Sequence, residues 1–128
     1  MSEKAEEIPV IVIGSRNRGD EFDYEKLEEV LYDYAIDYHV KGIPYHYRII
    51  QTGEPDGTAA MARKYAAGTV PPMQDQKNIC CDLQEWRKSK DNGLEMLCLA
   101  FLAADNTDDG TWKIIKEQIR KGTEIRLY

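Results

Sequence analysis

Three polar, glycine-bearing stretches of this sequence carry the residue types that handle anions and sugars. The first is Gly14-Ser15-Arg16-Asn17-Arg18, directly after an apolar run. Glycine permits a tight turn there, Ser15 offers a hydroxyl, and Arg16 or Arg18 can meet a phosphate or stack on a base. An isolated Gly-Ser-Arg turn also fits a plain strand-to-helix connection with solvated arginines. The second is Gly53-Glu54-Pro55-Asp56-Gly57-Thr58, ahead of an alanine-rich segment. Backbone N–H groups at a helix start, approached closely where Gly57 stands, suit an anion or a sugar hydroxyl. Asp56 equally suits the N-cap of that helix, with Thr58 in support. The third is Asp105-Asn106-Thr107-Asp108-Asp109-Gly110-Thr111, whose Gly110-Thr111 step would stand at a helix start and cradle a phosphate.

The carboxylates of the third stretch do not make a calcium loop. Such a loop ends on a glutamate at its twelfth position, and counted from Asp105 that position is Lys116. Solvated carboxylates are the better account, and no metal is assigned. No cofactor is implied either. His39 and His46 lack a serine or cysteine partner in motif context, and Cys80-Cys81 have no positioned base. If a bond is broken here, a carboxylate must do the work, and Asp56, Asp105 and Asp108 are the candidates, with Glu54 in reserve.

The elements that position these stretches follow from periodicity. Ile8-Pro9-Val10-Ile11-Val12-Ile13 is apolar throughout and suits a strand buried on both faces. Leu27, Val30, Leu31, Tyr34, Ala35 and Tyr38 recur three and four apart, which predicts one helix over Asp23 to Tyr38. Tyr45 to Gln51 predicts a strand, Ala59 to Ala67 a helix ended by Gly68, and the neighbourhood of Asn78 to Cys81 a short strand. Leu83 to Lys90 reads as one or two helical turns, and Leu97 to Leu102 as another buried strand, with a helix continuing from Leu94 the alternative that periodicity leaves open. Thr111 to Lys121 reads as a helix with Trp112, Ile115 and Ile119 inward, before a final strand from Glu124 to Tyr128. Alternating strands and helices call for parallel pairing through right-handed crossovers, so the fold class is α/β. In such sheets ligands bind beyond the carboxyl ends of the strands, where all three stretches would lie.

Composition narrows the function classes. A chain of 128 residues suits one domain, expected over 8–128 behind a flexible acidic leader at 1–7. The hydrophobic share of 42% beside 31% charged residues argues against disorder. A net charge of -6 argues against long nucleic acid, which needs a basic face. Three cysteines without metal-ligand spacing make a reduced, cytoplasmic setting the simplest expectation. The apolar run from Leu94 to Ala104 is too short to cross a bilayer, so no membrane is expected. Tyr24, Tyr32 and Tyr38 on the first helix would suit a homo-oligomer interface.

The order of these turns resembles the SLOG superfamily, the Rossmann-like group that includes the Lonely Guy phosphoribohydrolases and DNA-processing protein A, and within it the small YspA-type branch. The likeness runs from Ile8 to Tyr128. It rests on Ile11-Val12-Ile13-Gly14-Ser15-Arg16, on Thr52-Gly53-Glu54-Pro55-Asp56-Gly57-Thr58 before the alanine-rich Ala59-Ala60-Met61-Ala62, and on Leu99-Ala100-Phe101 with Gly110-Thr111. The resemblance implies a Rossmann-like three-layer sandwich with a mostly parallel sheet of about five strands. It also implies ligand contacts at Gly14, Ser15, Arg16, Asn17, Arg18, Gly53, Glu54, Asp56, Gly57, Thr58, Asn92, Gly110 and Thr111. Several departures from the family bear on activity. Its arginine-asparagine pair before the fourth strand corresponds to Asp91-Asn92, with the arginine missing or displaced to Arg87. Asp108 and Asp109 replace the glycines before Gly110. Thr58 and Ala59 stand where the family has an aspartate, and Ile114 stands where Lonely Guy enzymes carry their motif glutamate. The binding turns are better preserved than the catalytic ones.

The expectation is a binding module for a nucleotide-derived small molecule, ADP-ribose-like or a cyclic nucleotide signal. Such a module could sequester its signal as a phage anti-defence protein does. The alternative is a nucleoside or nucleotide N-glycosidase. Binding of single-stranded DNA ranks last, for want of a basic stripe.

Overall fold

The computed structural model describes residues 6–68, 78–88, 97–103 and 109–128. A strand that is apolar on both faces must lie inside a covered sheet, and the first strand, β1 (Glu6–Gly14), does so. It pairs in parallel with β2 (Tyr45–Gln51) on one side and β4 (Leu97–Phe101) on the other. Outside these lie β3 (Ile79–Asp82) beside β2 and β5 (Glu124–Leu127) beside β4, both parallel. The order is β3-β2-β1-β4-β5. β1 starts two residues before the apolar run, because Glu6 and Glu7 continue the register opposite Tyr45 and His46.

Five helices connect the strands: α1 (Glu21–Tyr34), α2 (Ile36–Lys41), α3 (Gly57–Gly68), α4 (Leu83–Lys88) and α5 (Asp109–Lys121). Period-two alternation in β1 divides the core between the two sheet faces. Ile8, Val10 and Val12 share one cluster with Leu27, Val30 and Leu31 of α1 and Met61, Ala62 and Tyr65 of α3. Ile11 and Ile13 share the other with Leu83 and Trp86 of α4 and Ile115 of α5. Each fully buried isoleucine, leucine or phenylalanine contributes about 1.5–3 kcal/mol of transfer free energy, so β1 anchors both halves. The result is a three-layer sandwich of the α/β class that the strand–helix alternation predicts. The chain winds outward from β1 over one face and from β4 over the other, as right-handed crossovers require. The loops after β1 and β4 therefore part toward opposite faces, and the strand order reverses between them.

Three local features differ from what the sequence predicts. The helix predicted over Asp23 to Tyr38 starts earlier and breaks in two. Asp20 caps it by accepting from the Asp23 amide at 2.9 Å, which stabilises a helix start by about 1 kcal/mol. The break falls at Ala35, whose N–H is shared between the carbonyls of Leu31 at 3.3 Å and Tyr32 at 3.2 Å. The buried Tyr47 hydroxyl, reaching up from β2, donates to the same Leu31 carbonyl. A side chain inserted into the ladder ends the regular helix there.

On α5, Ile115 is buried and Trp112 packs partly inward, but Ile119 is 61% exposed and Gln118 takes the inward place. Gln118 is held inside by Thr123, whose hydroxyl donates to its side-chain oxygen at 2.7 Å and whose amide donates to its carbonyl at 3.1 Å. That pair closes the turn into β5. Of the tyrosines expected to form an open surface, Tyr32 is exposed, whereas Tyr24 and Tyr38 pack partly against the first core. Cys80 and Cys81 are neighbours on β3, so their side chains point to opposite faces of the sheet. No described helix is long and apolar enough to cross a membrane.

Candidate functional site

The residues after β1 turn away from the sheet immediately. The Ser15 amide donates to the Phe101 carbonyl at 2.9 Å, which keeps the loop beside the end of β4. The Ser15 carbonyl then accepts three donors: the Arg18 amide at 3.2 Å, the Thr58 amide at 3.2 Å and the Thr58 hydroxyl at 2.9 Å. The Ser15 hydroxyl accepts from the Asn17 amide at 3.0 Å. Ser15 and Thr58 are both buried, so these two candidate ligand contacts hold the loops after β1 and β2 together.

Backbone approach locks that junction. Gly57 has φ 68°, and a Cβ there would stand 2.4 Å from the Cα of Arg16. Gly19, at φ 97°, is packed so closely on the Gly57 carbonyl that a Cβ would stand 2.5 Å from its oxygen. Only glycine combines a left-handed backbone with such contact. The loop after β1 and the start of α3 thus form one interlocked unit at the carboxyl edge of the sheet.

The two arginines of the loop have separate fates. Arg16 projects to solvent and forms a two-pronged pair with Asp56, with Nε–Oδ1 at 2.7 Å and Nη2–Oδ2 at 3.1 Å. Both side chains are 60% exposed. The Arg16 guanidinium holds the Asp56 carboxyl below its ordinary range, so Asp56 is an anion at neutral pH. Arg18 is drawn inward instead. Its guanidinium grips Asp23 at 2.7 and 2.9 Å and donates to the carbonyls of Leu102 at 2.7 Å and Tyr128 at 3.2 Å. It also lies 5.5 Å over the Phe101 ring. Asp23 further accepts from the Gly19 amide at 2.8 Å, and the Arg18 hydrogen bonds lower its carboxyl pKa against the opposing effect of burial.

The turn after β2 is shaped from within. Gln51 accepts from the Gly53 amide at 2.6 Å and from Arg63 at 2.9 Å, while Arg63 also donates to the Glu54 carbonyl at 2.6 Å. The Thr52 hydroxyl donates to the Glu54 carboxylate. Asp56, Gly57 and Thr58 are thus brought together with Gly14, Ser15 and Arg16, whereas Gly53 faces β3, where a Cβ would stand 2.8 Å from the Asp82 carboxylate.

Gly110 and Thr111 lie in the first turn of α5, which starts at Asp109. A Cβ at Gly110 would meet nothing within 4 Å. Asn92, Asp105 and Asp108 lie outside the described residues. Among the described residues, no group of three or more His, Cys, Asp or Glu is placed to hold a metal ion.

No family model, no curated protein and no solved structure matches the chain. What the loops can do is set by their own chemistry. A guanidinium with two parallel donors, borne on a rigid loop at the carboxyl edge of a parallel sheet, can seat two oxygens of a phosphate or carboxylate. Asp56, ionised and exposed, can accept from sugar hydroxyls or stabilise positive charge on a sugar ring.

Four residues that shape this site are absent from the motif reading: Gly19, Asp20, Asp23 and Arg63. A signal existed for two of them. Asp20 followed by Asp23 at the head of an apolar-periodic helix is an N-cap pattern with acidic residues in the first turn. The roles of Gly19 and Arg63 depend on the fit between loops, which no local spacing displays.

Proposed function

We propose that this chain binds a nucleotide-derived small molecule at the carboxyl ends of β1 and β2, with Arg16 meeting a phosphate of the ligand. The observation that carries the reading is the placement of Arg16. It is exposed, its donor fork is preformed, and its backbone is pinned by Gly57. The sequence resemblance to SLOG domains supplies the ligand class, an ADP-ribose-like or cyclic nucleotide signal. A protein that captures such a signal and does not cleave it acts by sequestration, the mode expected of an anti-defence protein.

Cleavage of an N-glycosidic bond is the second reading. Asp56 favours it, since a carboxylate kept ionised beside the ligand could stabilise an oxocarbenium-like transition state. One experiment separates the two. The protein is melted with a panel of nucleoside monophosphates, ADP-ribose, cyclic ADP-ribose isomers and cyclic dinucleotides, and the ligands are then recovered for mass spectrometry. A ligand that raises the melting temperature and returns intact is the expected result. Recovery of free base with ribose phosphate would establish the glycosidase instead. A panel without any stabilising member would remove both readings.

A further inference from the structure

We propose that Asp56 is a built-in competitor for the anion site: in the unliganded protein its carboxylate occupies the Arg16 fork that a nucleotide phosphate takes over on binding. This rests on the reading that Arg16 meets the ligand, and adds how entry to that site is controlled.

The geometry of the pair is the geometry of the proposed contact. Two carboxylate oxygens sit on Nε and Nη2 of Arg16 at 2.7 and 3.1 Å, as two non-bridging phosphate oxygens would. That edge of the guanidinium cannot serve both partners at once. The pairing is delivered by the fold, because Gly57, next to Asp56, packs directly on the Arg16 backbone. It is also easily released. Both side chains are 60% exposed, and ion pairs in that setting are weakly held. Asp56 can swing into water without uncovering any core.

The surroundings make the competition selective. Glu54, on the same loop as Asp56, adds its own electrostatic effect at Arg16. An incoming anion therefore meets two carboxylates on a protein of net charge -6. A free phosphate brings only charge to that exchange. A nucleotide brings base and sugar contacts as well, so it can displace Asp56 where inorganic phosphate cannot.

The test is calorimetric titration of AMP, ADP-ribose, adenosine and inorganic phosphate into the wild-type chain and Asp56→Asn. A circular dichroism melt of each protein checks that the exposed substitution leaves the fold intact. The expected result is that Asp56→Asn binds AMP or ADP-ribose about threefold to tenfold more tightly. Adenosine, which has no phosphate, does not share that gain, and inorganic phosphate gains detectable binding. If Asp56→Asn binds the phosphorylated ligands equally or less tightly than wild type, the competitor role is overturned while the binding reading stands. A gain that adenosine shares overturns it too. If neither protein binds AMP or ADP-ribose, the inference and the reading beneath it fall together.

Discussion

Arg16 and Arg18 sit two residues apart on one loop and do opposite work. Arg18 is turned inward to one carboxylate and two backbone carbonyls, and it ties the loop after β1 to α1 and to the ends of β4 and β5. Arg16 is turned outward to one exposed carboxylate. A part-buried pair with several further hydrogen bonds is structural, because removing one partner leaves the other poorly solvated. An exposed pair contributes little to stability and is available for exchange. Residue type alone therefore does not mark a site. The partner does.

Removal of Arg18 separates the two arginines furthest. Arg18→Ala leaves Asp23 without its counter-ion and takes a donor from the backbone oxygens of Leu102 and Tyr128, of which Tyr128 keeps the Leu102 amide at 3.1 Å. It should cost about 2–4 kcal/mol of stability in urea denaturation. Asp23→Asn should lose much of the same amount, with a pH signature. The Asp23 carboxyl titrates below its ordinary value in the folded protein, so its stabilising contribution is complete above the unfolded pKa near 3.9. It is lost as pH falls through the lower folded value. The gap between wild type and Asp23→Asn should hold from pH 7 to 5 and close below about pH 4.

Gly57 comes next. Gly57→Ala forces a side chain into a left-handed position against the Arg16 backbone and should cost about 1–3 kcal/mol. The same change should weaken nucleotide binding, because it pushes Arg16 away from α3. Gly110→Ala is the counterpart. It meets open space in the first turn of α5 and should leave stability unchanged or raise it by up to about 1 kcal/mol. Equal losses at the two glycines would show that the interlock at Gly57 is not special.

The sheet was legible in the sequence because parallel strands buried on both faces read as unbroken apolar runs. Ile8 to Ile13 and Leu97 to Phe101 are such runs, and the alternation of strand and helix sets their direction. The helix break at Ala35 was not legible, since its cause is a hydroxyl on Tyr47, twelve residues further on and in another element. The inward turn of Gln118 likewise follows from its contacts with Thr123 rather than from hydrophobicity. At the site, the glycine-bearing turns located the loops. What they concealed was the division of labour within them. Ser15 and Thr58 look like ligand contacts by residue type, yet the Thr58 hydroxyl is turned to the Ser15 carbonyl and the Ser15 hydroxyl to the Asn17 amide of its own loop. Arg18 could not be told from Arg16, because two of its partners, Leu102 and Tyr128, lie at the far end of the chain.

The most direct test of the account is titration of the nucleotide that best stabilises the wild-type chain into Arg16→Ala, with the melting temperature of the unliganded variant measured alongside. Affinity should fall by at least about tenfold, as expected for loss of a charge-assisted bidentate contact. The melting temperature of the free protein should stay at the wild-type value. Undiminished affinity in a folded Arg16→Ala protein would mean that Arg16 is not the anion contact and that the ligand binds elsewhere.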